Sequence, residues 1–337
     1  MDVVELTREL VEIYSPSGNE RRIGRTIYRI LRETGMKVRR QRVERKRYNV
    51  IATSGEPRVL LSSHMDTVPG FLEVWEDEEF LYGRGTADAK GSVASMMCAA
   101  ERLIESGMED FGLLFTVGEE QDFCGVKKAV GALNPEFVVI GEPTRLKLAL
   151  GQKGLIGLTV RTYGIACSGA MPWLGKSAIC TLIDVLKRIM DMKFPKTKEL
   201  GETVVNVGIV RGGSAINVVP DYAEALIEIR SPTSNRKIVS LISRVASNDD
   251  VELEVNYSYE PVITRIERSV LKKIGLETCV VPYFSEAYFW KEKAEVLIVG
   301  PGDWEVIHTN NEKVSKKELN SAVDVYTRLV RTLSSRE

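Results

Sequence analysis

Leu60–Gly91 reads LLSSHMDTVPGFLEVWEDEEFLYGRGTADAKG, and the way it begins decides the fold. The apolar run Arg58 to Ser62 is too short for a helix and breaks directly into His64 and Asp66, with Asp88 further on in a glycine-flanked turn. The same arrangement recurs three times. Phe111 to Val117 leads to Glu119 and Glu120, Phe137 to Ile140 leads to Glu142, and Glu295 to Val299 leads to GPGD and then His308. Near-continuous apolar runs separated by helical stretches, such as Gly91 to Ser106 and Gly125 to Ala132, predict an α/β fold with a mostly parallel sheet covered on both faces. Open sheets of this kind bind ligands beyond the carboxyl ends of their strands. Four strands are therefore expected to deliver imidazoles and carboxylates to one edge.

Ahead of this stretch, apolar residues at helical spacing predict helices from Asp2 to Tyr14 and near Glu20 to Thr34, followed by strands Lys37 to Val43 and Asn49 to Thr53. Residues 151–260 differ in character. They supply none of the strand-end ligands and read strand, helix, strand, strand, helix, strand, the βαββαβ order of a ferredoxin-like unit. The expected organisation is a discontinuous sheet domain, residues 1–150 and 261–337, with residues 151–260 inserted as a compact domain. A chain of 337 residues exceeds what a single core usually organises, which agrees with two domains.

Composition narrows the function classes. With 46 basic and 47 acidic residues, no whole-chain charge argues for nucleic acid or an anionic membrane, so neither is expected as a partner. The five cysteines are scattered and form no CxxC pair, which predicts reduced packing residues. The N-terminus is unlike a signal peptide and no apolar run approaches the roughly 20 residues of a membrane span. A cytoplasmic location is the expectation.

The chain has only two histidines, His64 and His308, and both fall just past predicted strand ends beside Asp66, Asp88, Glu119, Glu120 and Glu142. Carboxylates emerging from a buried sheet need a partner or a cation. Two divalent ions balance three ligating carboxylates and two neutral imidazoles with charge left over to activate water. Histidine and carboxylate ligands without cysteine suit zinc, with cobalt or manganese as substitutes. Glu119 and Glu120 are adjacent and point in opposite directions, so that one can bind metal while the other serves as general base. Asp66 is placed to fix the His64 tautomer. HExxH, the P-loop, the GxSxG elbow and a helix-opening GxGxxG are all missing from the sequence.

SSHMDTVPG, YGRGTADAKG, FTVGEEQD, IGEPT and GPGDWEVIHTNNE, in this order, resemble the M20 family of metallopeptidases and amidohydrolases. The resemblance covers nearly the whole chain, including PSGNE near the N-terminus and RGGSAINVVPDYAEALIEIR in the insert. It implies a zinc-peptidase-like catalytic domain, an insert that dimerises, and a homodimer. It also implies that His64 and Glu142 hold one metal, Glu120 and His308 the other, and that Asp88 bridges them. Glu119 would be the base, Asp66 the orienting residue, and the peptide after Asp88 cis. Asn217 and Arg230 match positions that contact a substrate carboxylate.

GPGD followed by HTxxE resembles the branch that unblocks lysine or ornithine in biosynthesis. The expected reaction is amide hydrolysis of an N-acylated amino acid or of a carrier-protein-linked substrate, for which Lys153, Arg161 and Lys176 are candidate docking cations. A di- or tripeptidase or carboxypeptidase is the alternative. Two departures bear on substrate. The insert has Gly164-Ile165-Ala166-Cys167-Ser168-Gly169 where relatives carry a histidine, and Ser285-Glu286-Ala287-Tyr288 where relatives have threonine or serine, aspartate, then arginine or asparagine. The first leaves Ser168 as a weaker donor and raises a further alternative, a relative that binds without turnover.

Overall fold

In the computed structural model, which describes residues 1–246 and 249–335, the strand opening the quoted stretch is Val59–His64 (β3), and all six residues are buried. It lies between Phe111–Thr116 and Phe137–Ile140, parallel to both, and Glu295–Ile298 extends the parallel set. Strands buried on both faces have no solvent side, which is why these segments read as unbroken apolar runs.

Outside that centre the pairing is antiparallel. Lys37–Glu44 (β1) and Arg47–Ser54 (β2) form a hairpin on a two-residue connection, and β2 pairs antiparallel with Phe111–Thr116. On the far side Leu148–Gln152 meets Glu295–Ile298 antiparallel. The sheet expected to be mostly parallel is therefore mixed. A two-residue turn can join only antiparallel neighbours, because a parallel pair needs a crossover of about a dozen residues or more.

Two compact units form. The first is Met1–Leu150 with Thr264–Cys279 and Ser285–Glu337, and the second is Gly151–Ile263 with Val280–Phe284. The short return of Val280–Phe284 has a packing cause, since the Phe284 ring stacks on Tyr259 at 5.2 Å. In the first unit, helices Val3–Val11 (α1), Gly91–Glu105 (α3) and Lys316–Ser334 share one core with the sheet through Leu6, Leu10, Met97, Ala100, Leu319 and Tyr326. Asp2 caps α1 by accepting from the N–H groups of Val4 and Glu5. Helix Arg21–Glu33 (α2) buries Ile23, Ile27 and Leu31 and leaves its arginines outside.

The second unit is a four-stranded antiparallel sheet ordered Val204–Gly212, Tyr222–Ser231, Gly154–Tyr163, Val251–Tyr259. Helices Ala178–Met190 and Asn235–Val245 share its core through Leu182, Val185, Ile238 and Ile242. With the first strand in chain order between the third and fourth, this is the ferredoxin-like arrangement. All five cysteines are free. No helix among the described residues is long and apolar enough to cross a membrane.

Candidate metal centre

β3 ends at His64, which is 1% exposed. Its Nε2 lies 3.0 Å from Asp88 Oδ1, and the other oxygen of that carboxylate lies 3.1 Å from His308 Nε2. Asp88 thus stands between the two imidazoles. Glu120 reaches His308 Nε2 at 3.1 Å, and Glu142 Oε1 lies 3.8 Å from His64 Nε2. Ligand atoms of His64, Asp88 and Glu120 all fall within 4.8 Å of one another. Segments so far apart in sequence would not meet without the sheet, whose strands end side by side. The peptide bond between Asp88 and Ala89 is cis.

Asp66 does more than orient one ring. The closest partner of His64 Nδ1 is the main-chain oxygen of Asp66, at 2.9 Å, while Oδ1 is 3.6 Å away. The carboxylate instead accepts from the backbone N–H groups of Glu119 and Glu120, both at 3.2 Å, and from Ser17 Oγ at 2.6 Å. It therefore fixes the turn that carries the two glutamates. Burial would raise the Asp66 pKa, but hydrogen bonding and attraction from His64, then Ser17 and the Glu119 amide, bring it below the ordinary value.

The electrostatics fit divalent cations. Burial pushes Glu119 and Glu142 well above the ordinary glutamate value, with His64 opposing and neighbouring carboxylates adding to the shift. Glu120 rises through burial and the repulsion of Asp88. Asp88, like Asp66, moves the other way, since hydrogen bonds from His308 and His64 outweigh its burial. His308 is raised to about 10 by its bonds to Asp88 and Glu120. A buried cluster with this excess of carboxylate, in which Glu142 Oε1 has no hydrogen-bond partner among the described residues, has the donor set and the uncompensated charge that metal ions satisfy.

Three buried residues escaped the sequence reading. Glu312, in the quoted HTNNE, accepts from Arg84 Nη1 at 2.6 Å and from the backbone N–H groups of Gly85 at 2.8 Å and of Ala87 and Asp88 at 3.3 Å. It holds the loop that presents Asp88. Its position four residues after His308 was the only signal, and nothing local distinguishes it from a solvated glutamate. Glu286, in the departing segment, is 1% exposed, accepts from Thr116 Oγ1 at 2.6 Å, and is pushed up to about 7 by burial. Lys90 is also 1% exposed, donates to the Ile13 carbonyl at 2.7 Å, and is lowered to about 7 by burial.

The remaining candidates belong to the second unit. Arg230 is half-buried and donates to Glu228 Oε1 at 2.8 Å, while Asn217 is exposed with its carbonyl accepting from the Gly169 N–H. Ser168 is exposed, and its Oγ accepts from the Ala170 N–H at 3.3 Å. The proposed docking cations are already engaged: Arg161 pairs with Glu254 at 2.7 Å, Lys176 pairs with Asp250, and Lys153 donates to the Glu202 carbonyl at 2.6 Å.

A parallel-centred sheet whose strand ends gather two imidazoles and a set of buried carboxylates defines a metal-dependent hydrolase. The sequence profile of Peptidase family M20/M25/M40 matches residues 60–332, and the chain belongs to that family. It is a metallopeptidase-type hydrolase of amide or peptide bonds. A peptidase M20 domain-containing protein of Schizosaccharomyces pombe is 33% identical over 341 residues, covering 98% of this chain and 84% of its own. A probable carboxypeptidase of Aspergillus clavatus is 32% identical, covering 98% and 88%. Among solved structures, a tripeptidase from Staphylococcus aureus superposes with a TM-score of 0.84 at 25% identity, covering 99% of this chain and 98% of that one.

Proposed function

We propose that the chain hydrolyses the amide bond of a short peptide, as a di- or tripeptidase or a carboxypeptidase. The observation that carries the reading is Asp88, whose two oxygens face His64 and His308 at 3.0 and 3.1 Å with Glu119 buried in the same cluster. Two divalent cations, zinc by donor chemistry with cobalt or manganese as substitutes, would be held by His64, Asp88 and Glu142 and by Asp88, Glu120 and His308. When bound they supply Lewis-acid polarisation of water and of the scissile carbonyl. Glu119 takes the proton from the attacking water and returns it to the leaving amine. Asp66 holds Glu119 in place through its backbone N–H. On the family resemblance, Asn217 and Arg230 receive the substrate's carboxylate, and the chain works as a homodimer.

The names of the relatives favour peptides over the lysine- or ornithine-releasing deacylation expected from GPGD and HTxxE. The test loads the protein with zinc, cobalt or manganese and offers dipeptides, tripeptides, N-blocked peptides, N-acetyl-lysine, N-acetyl-ornithine and a carrier-linked amino acid. Peptide cleavage that is lost with a chelator and restored by metal supports the proposal. Faster turnover of the acetylated or carrier-linked amino acids would return the assignment to the deacylase. Tight binding of intact peptides with no product would make the chain a binding relative.

A further inference from the structure

Between Arg21 and Arg47 the sequence places twelve basic and two acidic residues, in a chain whose net charge is −1. The fold gathers five of the basic ones. α2 buries its apolar stripe and turns Arg22, Arg25, Arg29 and Arg32 outward, and these line a groove of about 820 Å³ together with Tyr28, a single carboxylate, Glu33, and Arg40 of β1. Spaced at three, four and three residues, the four helix arginines form a stripe along one flank of α2. Arg22, Arg25, Arg32 and Arg40 have no ion-pair partner among the described residues, and Arg29 reaches only an exposed Glu9 at 3.4 Å.

The groove borders a second feature of a different kind. β1 is the last strand of its sheet and, among the described residues, is paired to β2 alone, with no main-chain hydrogen bond of Lys37–Glu44 leaving that hairpin. Alternate residues of an edge strand turn their N–H and C=O groups outward, ready to pair with another extended chain. Arginine on such an edge repels a second copy of itself. The same charge selects an acidic strand.

We propose that the groove between α2 and the free edge of β1 docks an acidic polypeptide segment, which adds to the sheet beside β1 while its carboxylates meet the arginines of α2 and Arg40. Arginine suits this role, because its planar fork binds a carboxylate through two parallel hydrogen bonds. Strand addition supplies main-chain pairing that only a polypeptide can return. Nucleic acid fits less well, since Arg40 already covers the rings of Tyr28 at 4.1 Å and Tyr48 at 5.0 Å, which base stacking would need free. A bilayer fits less well too: no large apolar side chain from Arg21 to Arg47 is exposed to anchor in it.

The test is fluorescence anisotropy of the full chain at low salt with a labelled decapeptide of alternating glutamate and threonine. Saturable binding is expected. It should weaken about tenfold or more in the double variant Arg25→Glu, Arg29→Glu. It should weaken by a similar factor when alternate peptide amides are N-methylated, which preserves charge and removes strand pairing. Both substituted arginines are exposed, and an unchanged unfolding temperature verifies that the variant is folded. The inference is overturned if the peptide fails to saturate, if either change leaves binding intact, or if a thymidine decanucleotide or phosphatidylserine vesicles bind more tightly. The titrations use protein stripped of metal by a chelator, so that peptide cleavage does not enter these readouts and the two readings can fail separately.

Discussion

At the scale of single residues, the site rests on carboxylates doing different work in nearly identical chemical form. Glu119→Gln keeps the shape and the backbone bond to Asp66 while removing the proton carrier, so kcat for peptide hydrolysis should fall by about 10²–10⁴-fold with metal content unchanged. Glu312→Gln leaves every direct ligand in place but loses the charge that gathers the Asp88 loop. Metal affinity in equilibrium dialysis should weaken by about 10- to 100-fold. Glu286 tests burial itself. Its carboxyl, pushed up to about 7 when folded, titrates near 4 when unfolded. The folded state therefore holds the proton more tightly, and stability is fully present below the unfolded value and lost as pH rises through about 7. Glu286→Gln should leave metal-free stability unchanged at low pH, near the unfolded value, and raise it by up to about 3 kcal/mol well above pH 7, measured by urea unfolding.

At the scale of elements, β3 positions the chemistry because it has nowhere else to go. All of its residues are buried, Val59 to Ser62 between two parallel neighbours, so His64 emerges at a fixed height beside Thr116. Leu61 is fully buried at the centre of that strand. Leu61→Ala should cost about 2–5 kcal/mol in chemical unfolding, since the surrounding sheet cannot close on the cavity. The start of α2 is tied to the site by a different route. Glu20 binds Arg47 at 2.6 Å and accepts from the Gly18 N–H at 3.0 Å, beside the Ser17 that donates to Asp66. PSGNE, which enters the sequence only as part of a family pattern, thus supplies hydrogen bonds to the turn behind the site.

At the scale of the molecule, the second unit leaves an edge strand, Val204–Gly212, with Val204 and Val210 exposed at 49% and 59%, and Ile183 and Met190 exposed on the helix Ala178–Met190. Apolar side chains along an unpaired edge suit a homodimer built by extending this sheet. Light scattering should give twice the 37.6 kDa chain mass, and Val210→Lys should reduce it to one. The edge at β1 presents arginine in place of apolar residues, which is why the two edges are assigned different partners.

The sequence by itself determined where the central strands end and which polar residues come directly after them, because a strand buried on both faces must be apolar and a ligand just beyond it must be polar. His64, Glu120 and Glu142 drew notice for that reason, whereas Asp88 and His308 lie farther from a strand end and stood out by a glycine-flanked turn and by the scarcity of histidine. The ferredoxin-like order of the second unit was legible, since alternation of strands and helices is written locally. Glu312, Glu286 and Lys90 were not legible, because a buried charge is recognised by its surroundings and theirs come from distant segments: Arg84 and the Asp88 loop, Thr116, and Ile13. The antiparallel pairing of β2 with Phe111–Thr116 and of Leu148–Gln152 with Glu295–Ile298 was decided only in three dimensions. So was the gathering of arginines from α2 and β1 onto one groove, which a composition balanced over the whole chain conceals.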